Sequence, residues 1–180
     1  MKIMRSNYKL QNTDYPYFIT STIVNWIRLF DQNEFKHLLF QNLIFYQSKY
    51  EIEIFAYVIM PDHFHMVCKS EQLRKAIQSL KSYTAKEIID ILRSDINFEI
   101  LDELRNIKKK YKAESDFQVW QEGYHPQEIL NNRMLKQKIE YIHYNPVRKG
   151  LVSRPEDWEY SSAGYYTNGT ECDLKITRYV

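Results

Sequence analysis

Cysteine is scarce in this 180-residue chain. Cys68 and Cys172 lie far apart and form no CxxC pair, which argues against a disulfide scaffold and a zinc ribbon. Long hydrophobic runs are missing too: none approaches the roughly eighteen apolar residues a spanning helix needs. The first residues, Met1-Lys2-Ile3-Met4-Arg5-Ser6, lack a signal peptide's apolar stretch, so no membrane association and a cytoplasmic location are expected. Charge of one sign is not in excess either. With 25 Lys and Arg against 23 Asp and Glu the formal net charge is +2 and the pI about 8.4, far from a histone-like protein or a basic-arm transcription factor. No internal repeat or low-complexity segment occurs. What is present is 44% hydrophobic and 27% charged residues, the balance of a folded chain. Its length suits one core, so residues 1–180 are read as a single domain. The unusual feature is aromatic content, 15 Tyr, 9 Phe and 3 Trp; most should be core, although a Tyr excess also suits a surface that stacks bases.

Periodicity gives the element order. Residues 17–24 place Phe18, Ile19, Ile23 and Val24 among β-tolerant types and predict a strand. Asp31 is a candidate cap for a helix in which Phe35, Leu38, Leu39, Leu43 and Tyr46 follow helical spacing to about Lys49. Residues 53–60 read as a buried strand broken by Pro61-Asp62, and 63–69 as the returning strand of a hairpin. Leu73, Ile77, Leu80, Thr84, Ile88 and Ile91 mark a long amphipathic helix to about Arg93. Residues 95–116, with their lysine run, read as an insertion made of a short helix and an exposed basic connection. Two short strands, 117–120 and 124–130, precede a helix capped by Asn131 or Asn132 that ends near Tyr144, where Asn145-Pro146 should stop it. Residues 146–180 form a mostly irregular C-terminal extension with a short strand at 174–177. The expected fold is therefore α+β, a ferredoxin-like split βαβ with an antiparallel sheet and helices packed mainly on one face, its core at about 17–145.

The chemistry concentrates in two stretches. On a strand, residues two apart point the same way, so His63 and His65 present two imidazoles on one face, able to chelate one divalent ion. An isolated His-x-His is more often a pair of surface histidines. Cys68 falls on the Phe64 face, which argues against a His-His-Cys zinc site. On the last helix Tyr141 and Asn145 are four apart and share a face. One can supply a nucleophilic phenol and the other an amide oxygen to a metal, although a lone helical Tyr more often packs. His143 lies about 200° around the helix from Tyr141 and is a poor partner for that metal. Lys108, Lys109, Lys110 and Lys112 form the densest basic run, and Arg148 and Lys149 follow the helix that carries Tyr141.

Taken together, Met60-Pro61-Asp62-His63-Phe64-His65, then Val119-Trp120-Gln121 with Tyr124, then Tyr141-Ile142-His143-Tyr144-Asn145-Pro146-Val147 with Gly150-Leu151-Val152, and finally Trp158 with Ser161-Ser162, closely resemble the REP-associated tyrosine transposases. These belong to the single-tyrosine HUH transposases of small insertion sequences, the IS200-like transposases, and the resemblance spans roughly residues 17–165. It implies that His63 and His65 are the HUH pair and bind Mg²⁺ or Mn²⁺ beside the scissile phosphate. It makes Tyr141 the nucleophile and Asn145 the third polar metal ligand. Tyr83, on the earlier helix, is the competitor for Tyr141, but has Glu87 at i+4 where an amide is wanted. A two-His site is more comfortable with Mn²⁺ than with Mg²⁺.

The implied reaction is cleavage and rejoining of single-stranded DNA at hairpins formed by palindromic repeats, through a 5′-phosphotyrosine, in DNA transposition. Arg148, Lys149 and the Lys108–Lys112 run are candidate DNA contacts, with Tyr144 and Tyr124 weaker ones for which packing is favoured. Relatives include homodimers that share active sites and forms that act alone, and the implied setting is bacterial and nucleoid-associated when bound to DNA. Two other readings stay open: a domesticated hairpin-binding protein without turnover, and a metal-dependent nuclease in which water attacks. One departure from the family pattern, the order Tyr124-His125-Pro126-Gln127 where relatives carry a Tyr-x-His run, leaves His125 without an assigned role.

Overall fold

The computed structural model describes residues 13–94, 98–107 and 116–178. Its elements run β1 (Tyr17–Thr22), α1 (Asn33–Lys49), β2 (Glu53–Ile59), β3 (His63–Lys69), α2 (Leu73–Ser94), α3 (Phe98–Ile107), β4 (Gln127–Glu128), α4 (Asn132–Arg148) and α5 (Ala163–Asn168), with short 3₁₀ turns after β1 and before α5. The sheet order is β2-β3-β1-β4, and its three strand pairs among the described residues are antiparallel. This is the α+β, split βαβ arrangement expected from the element order.

The two faces of the sheet bury different things. Ile19, Phe64, Met66 and Cys68 point to one side and join the main core with Leu39, Leu43, Ile77, Leu80, Ile88 and Leu104 from α1, α2 and α3. Phe18, Ala56, Val58 and Val67 point to the other, where Leu135, Ile139 and Ile142 of α4 cover them. An irregularity between Ile54 and Ala56 shifts the β2 register against β3, so that Phe55 and Ala56 both pack on the α4 side. Side chains of three helices thus lie on one face and α4 on the other, where Tyr166 of α5 packs beside it. Fully buried side chains such as Phe64 and Met66, at 1% and 0% exposure, contribute about 1.5–3 kcal/mol each from burial.

Several expected boundaries move. Asp31 does not cap α1; it pairs with Arg28, and Gln32 occupies the N-cap without a side-chain bond. Asn131 caps α4, its side chain accepting from Met134 N at 3.0 Å. Pro146 does not stop α4, which continues to Arg148. A proline in the last turn forfeits one N–H bond only. Termination comes from Gly150 at φ +68, with Gly150 N donating to Val147 O and Leu151 N to Pro146 O, a Schellman closure that glycine makes easy. The stretch expected as two strands at 117–130 yields only β4 and a single bridge between Ile23 and Trp120. The expected strand at 174–177 is one bridge, Ile54 to Ile176, and the C-terminal extension contains the unforeseen α5.

That extension is fastened to β2. Ser162 N donates to Tyr57 O at 3.0 Å, the Ser162 hydroxyl accepts from Tyr57 N at 3.0 Å, and Trp158 Nε1 donates to Ile59 O at 2.9 Å. His143 Nε2 lies 2.9 Å from the same hydroxyl. No helix among the described residues is long and apolar enough to cross a membrane.

Candidate active site

Strand register builds the first half of the site. β1 and β3 pair so that Thr20 faces His65 and Thr22 faces His63, and both imidazoles lie on the α4 side. Their Nε2 atoms are 3.1 Å apart. Each ring is fixed through its other nitrogen: His63 Nδ1 is 2.6 Å from Asp62 Oδ1, and His65 Nδ1 is 2.7 Å from Thr20 Oγ1. If both Nδ1 atoms carry the protons and donate, both Nε2 lone pairs point toward a common space, the arrangement that outer partners impose on metal-binding histidines.

Electrostatics favour the neutral form of the His65 ring, the form that can ligate a metal. Burial pushes His65 down to about 3, with the His63 and Lys138 charges acting in the same direction and Asp62 against them. Asp62 is pushed up by burial, yet the hydrogen bond and charge of His63, together with Lys149, hold it below the usual carboxylate range. Two nitrogens bound at right angles about 2.1 Å from one ion would be about 3.0 Å apart, so the observed separation fits a shared cation. The described residues hold no cluster of three His, Cys, Asp or Glu able to bind a metal.

The second half comes from α4. Lys138, Tyr141, Asn145 and Arg148 recur at three- and four-residue intervals, a stripe along one side of the helix. The Tyr141 ring is 5.4 Å from the His65 ring and 5.8 Å from Phe18, while Phe18 stacks on His65 at 5.2 Å. Lys138 Nζ lies 4.6 Å from the Phe18 centroid and 6.0 Å from that of Tyr141, and burial lowers its pKa. The Arg148 guanidinium is 5.2 Å from the Tyr141 ring and donates to Tyr141 O. Tyr141 is 40% exposed and Asn145 only 5%, so the phenol is accessible while the amide is enclosed.

His63, His65 and Tyr141 therefore come together, with Arg148 on the tyrosine and Lys149 close enough for its charge to act on Asp62. Tyr83 sits on α2, across the sheet from the histidines. His143 faces Ser162 and Tyr166, and burial pushes it down to about 4, in keeping with its expected distance from the metal. Tyr144 is 49% exposed, a correction to the packing expectation, whereas Tyr124 packs against the main core. Lys108, Lys109, Lys110 and Lys112 lie outside the described residues. Sequence reasoning passed over Phe18, Thr20, Asp62 and Lys138. Lys138 was open to it through the i, i+3 spacing to Tyr141, but Thr20 required the strand register.

A family model described as "Transposase IS200 like" matches residues 23–145. A Haemophilus influenzae protein provisionally named a REP-associated tyrosine transposase is 28% identical over 113 residues, 63% of this chain and 60% of its own length. A REP-associated tyrosine transposase of Escherichia coli K12 is 26% identical over 111 residues, 61% of this chain and 53% of its own. The matches thus span little more than half of these relatives. A solved structure of a REP-associated tyrosine transposase bound to a REP hairpin aligns with a TM-score of 0.67 at 18% identity, covering 99% of this chain and 95% of that one, a likeness of fold.

Proposed function

Because the chain belongs to the IS200-like transposase family, we propose that it cleaves and rejoins single-stranded DNA at hairpins formed by palindromic repeats, using Tyr141 as nucleophile. The reading treats the chain as one catalytic domain. The observation that carries it is the convergence of two imidazole Nε2 atoms 3.1 Å apart with an exposed phenol whose ring is 5.4 Å from one of them. His63, His65 and Asn145 would hold a divalent ion, Mg²⁺ or Mn²⁺, which when bound polarises the phosphoryl oxygen and stabilises charge developing there.

The chain's own residues divide the remaining work. Asp62 and Thr20 hold the two rings in orientation. Lys138 and Arg148 place positive charge beside the Tyr141 ring, where it favours the phenol oxygen as it becomes a nucleophile. That oxygen attacks phosphorus, the P–O3′ bond breaks, and the departing oxygen takes a proton to become a free 3′-OH. The bond energy stays in the phosphotyrosine, so a 3′-OH can reverse the step without a nucleotide cofactor. Arg148 and Lys149, at the end of α4, hold flanking phosphates.

The test is incubation with single-stranded DNA carrying a repeat hairpin and Mn²⁺, followed by denaturing electrophoresis. The expected product is protein covalently joined to the 5′-phosphate fragment, with release of a fragment ending in 3′-OH. Cleavage without an adduct would make water the nucleophile, and binding without cleavage would make the chain a hairpin-binding protein.

A further inference from the structure

The chain between β1 and α1 presents an aromatic side chain that neither the core nor the reaction uses. Trp26 is 64% exposed; its backbone N donates to Ile23 O at 3.2 Å, but its indole makes no hydrogen bond or ring contact with any described residue. The other two tryptophans are engaged: Trp120 is 5% exposed and donates to Thr84, and Trp158 donates to Ile59 O. The backbone that carries Trp26 is unusual as well. Asn25 and Trp26 have φ of 53° and 54°, a left-handed pair that L residues, bulky ones above all, adopt at a cost. The surroundings hold it there. Ile23 N donates to Asp62 O at 2.8 Å, Val24 N to Val119 O at 2.8 Å and Phe30 N to Pro61 O at 2.9 Å, while Asn25 Nδ2 donates to Glu103 of α3 at 3.0 Å.

These bonds tie the loop to the Pro61-Asp62 turn, next to His63. Thr22, four residues before Trp26, is the register partner of His63. Two cations stand at the same end of the site, among the carboxylates Asp31 and Asp62. Arg28, although paired with Asp31, is close enough to Asp62 for the two charges to interact, and so is Lys149. A strand whose scissile phosphate lies between the histidines and Tyr141 would run toward Lys149 and Arg28 and meet the exposed indole beyond them.

We propose that Trp26 is a stacking platform for an unpaired nucleobase next to the cleavage point, and that the rigid loop from Ile23 to Ile27 holds it ready. This inference rests on the functional reading above and adds a subsite to it. An indole stacks on any base, so the subsite favours single-stranded over paired DNA while leaving sequence choice elsewhere.

The test uses the full chain carrying Tyr141→Phe, so that binding is read without cleavage, with two probes: a repeat hairpin bearing a single-stranded flank and the same hairpin with a blunt end. Trp26→Ala should weaken the flanked hairpin about tenfold, the scale of one stacked base, leave the blunt hairpin unchanged, and remove the tryptophan fluorescence quenching that accompanies binding. Trp26→Phe should restore most of the affinity. Unchanged binding of the flanked hairpin, equal weakening of both probes, or a change in oligomeric state with DNA affinity intact would each overturn the proposal. If the parent bound neither probe, the functional reading itself would fail, and the proposal with it.

Discussion

The two faces of the sheet are built from alternate residues of the same strands and do opposite things. On the α1 and α2 side, Phe64 and Met66 are closed over completely, and Tyr83 of α2 stands apart from any ligand-bearing side chain. On the α4 side the covering is divided: Ile139 and Ile142 seal Val58 and Val67, while a turn away Tyr141 and Lys138 lie over Phe18 and His65. The second face leaves an exposed phenol above two imidazoles, of which His65 is buried and kept neutral by that burial. α4, with Tyr166 of α5 beside it, leaves Tyr141 40% exposed on that face, and the His-x-His pair falls there because His63 and His65 alternate with Phe64 and Met66 along β3.

The strongest way to break this contrast is to exchange the tyrosines' fates. Tyr141→Phe should abolish the covalent adduct altogether, whereas Tyr83→Phe should leave it intact, because on the proposed reading the nucleophile must reach a phosphate beside the ion that the histidines would hold. Denaturing gels of both variants decide it, and an adduct surviving in Tyr141→Phe would overturn the proposed distinction between the faces. Neighbouring positions on β3 should separate stability from activity. Phe64→Ala should cost about 3–5 kcal/mol in urea unfolding, the usual result of emptying a core site. His63→Ala should cost about 1 kcal/mol or less while eliminating metal-dependent cleavage.

A third prediction concerns pH. His143 is held down to about 4 from an ordinary value of 6.5, so between those values the unfolded chain binds more protons than the folded one. Stability should therefore be complete above about pH 6.5 and fall as pH drops toward 4, with up to about 3 kcal/mol at stake from this residue. His143→Gln should flatten that part of the curve; an unchanged slope would show that the burial of His143 does not govern it. The smallest effect is expected from Lys138→Met, about a tenfold slower cleavage that narrows at high salt, as befits a partly exposed charge acting across a short distance.

The sequence made the catalytic face readable only in part, for reasons that differ by residue. His63 and His65 follow from strand parity, and Tyr141 with Asn145 from helical spacing, both local rules. Pro146 misled because the rule against proline in helices concerns interiors, and this one stands two residues from the helix end. Thr20 and Phe18 gain their roles from pairing with a strand more than forty positions away, which no local pattern encodes. Ser162 and Trp158 belong to the recognisable motif, but their purpose, fastening the C-terminal extension to β2 and α4, emerges from the hydrogen bonds alone. Asp31, a plausible cap by type, was claimed by Arg28 three residues earlier.

The most direct test of the central claim is to locate the covalent bond itself. Wild-type protein is incubated with Mn²⁺ and a single-stranded substrate carrying the repeat hairpin, digested with protease and nuclease, and the nucleotide-bearing peptide is sequenced by mass spectrometry. The account predicts a single modified residue, Tyr141, in a peptide from α4, and no modification when His63 or His65 is replaced by Ala. A phosphotyrosine at Tyr83 or Tyr144, or cleaved DNA with no modified peptide, would contradict it.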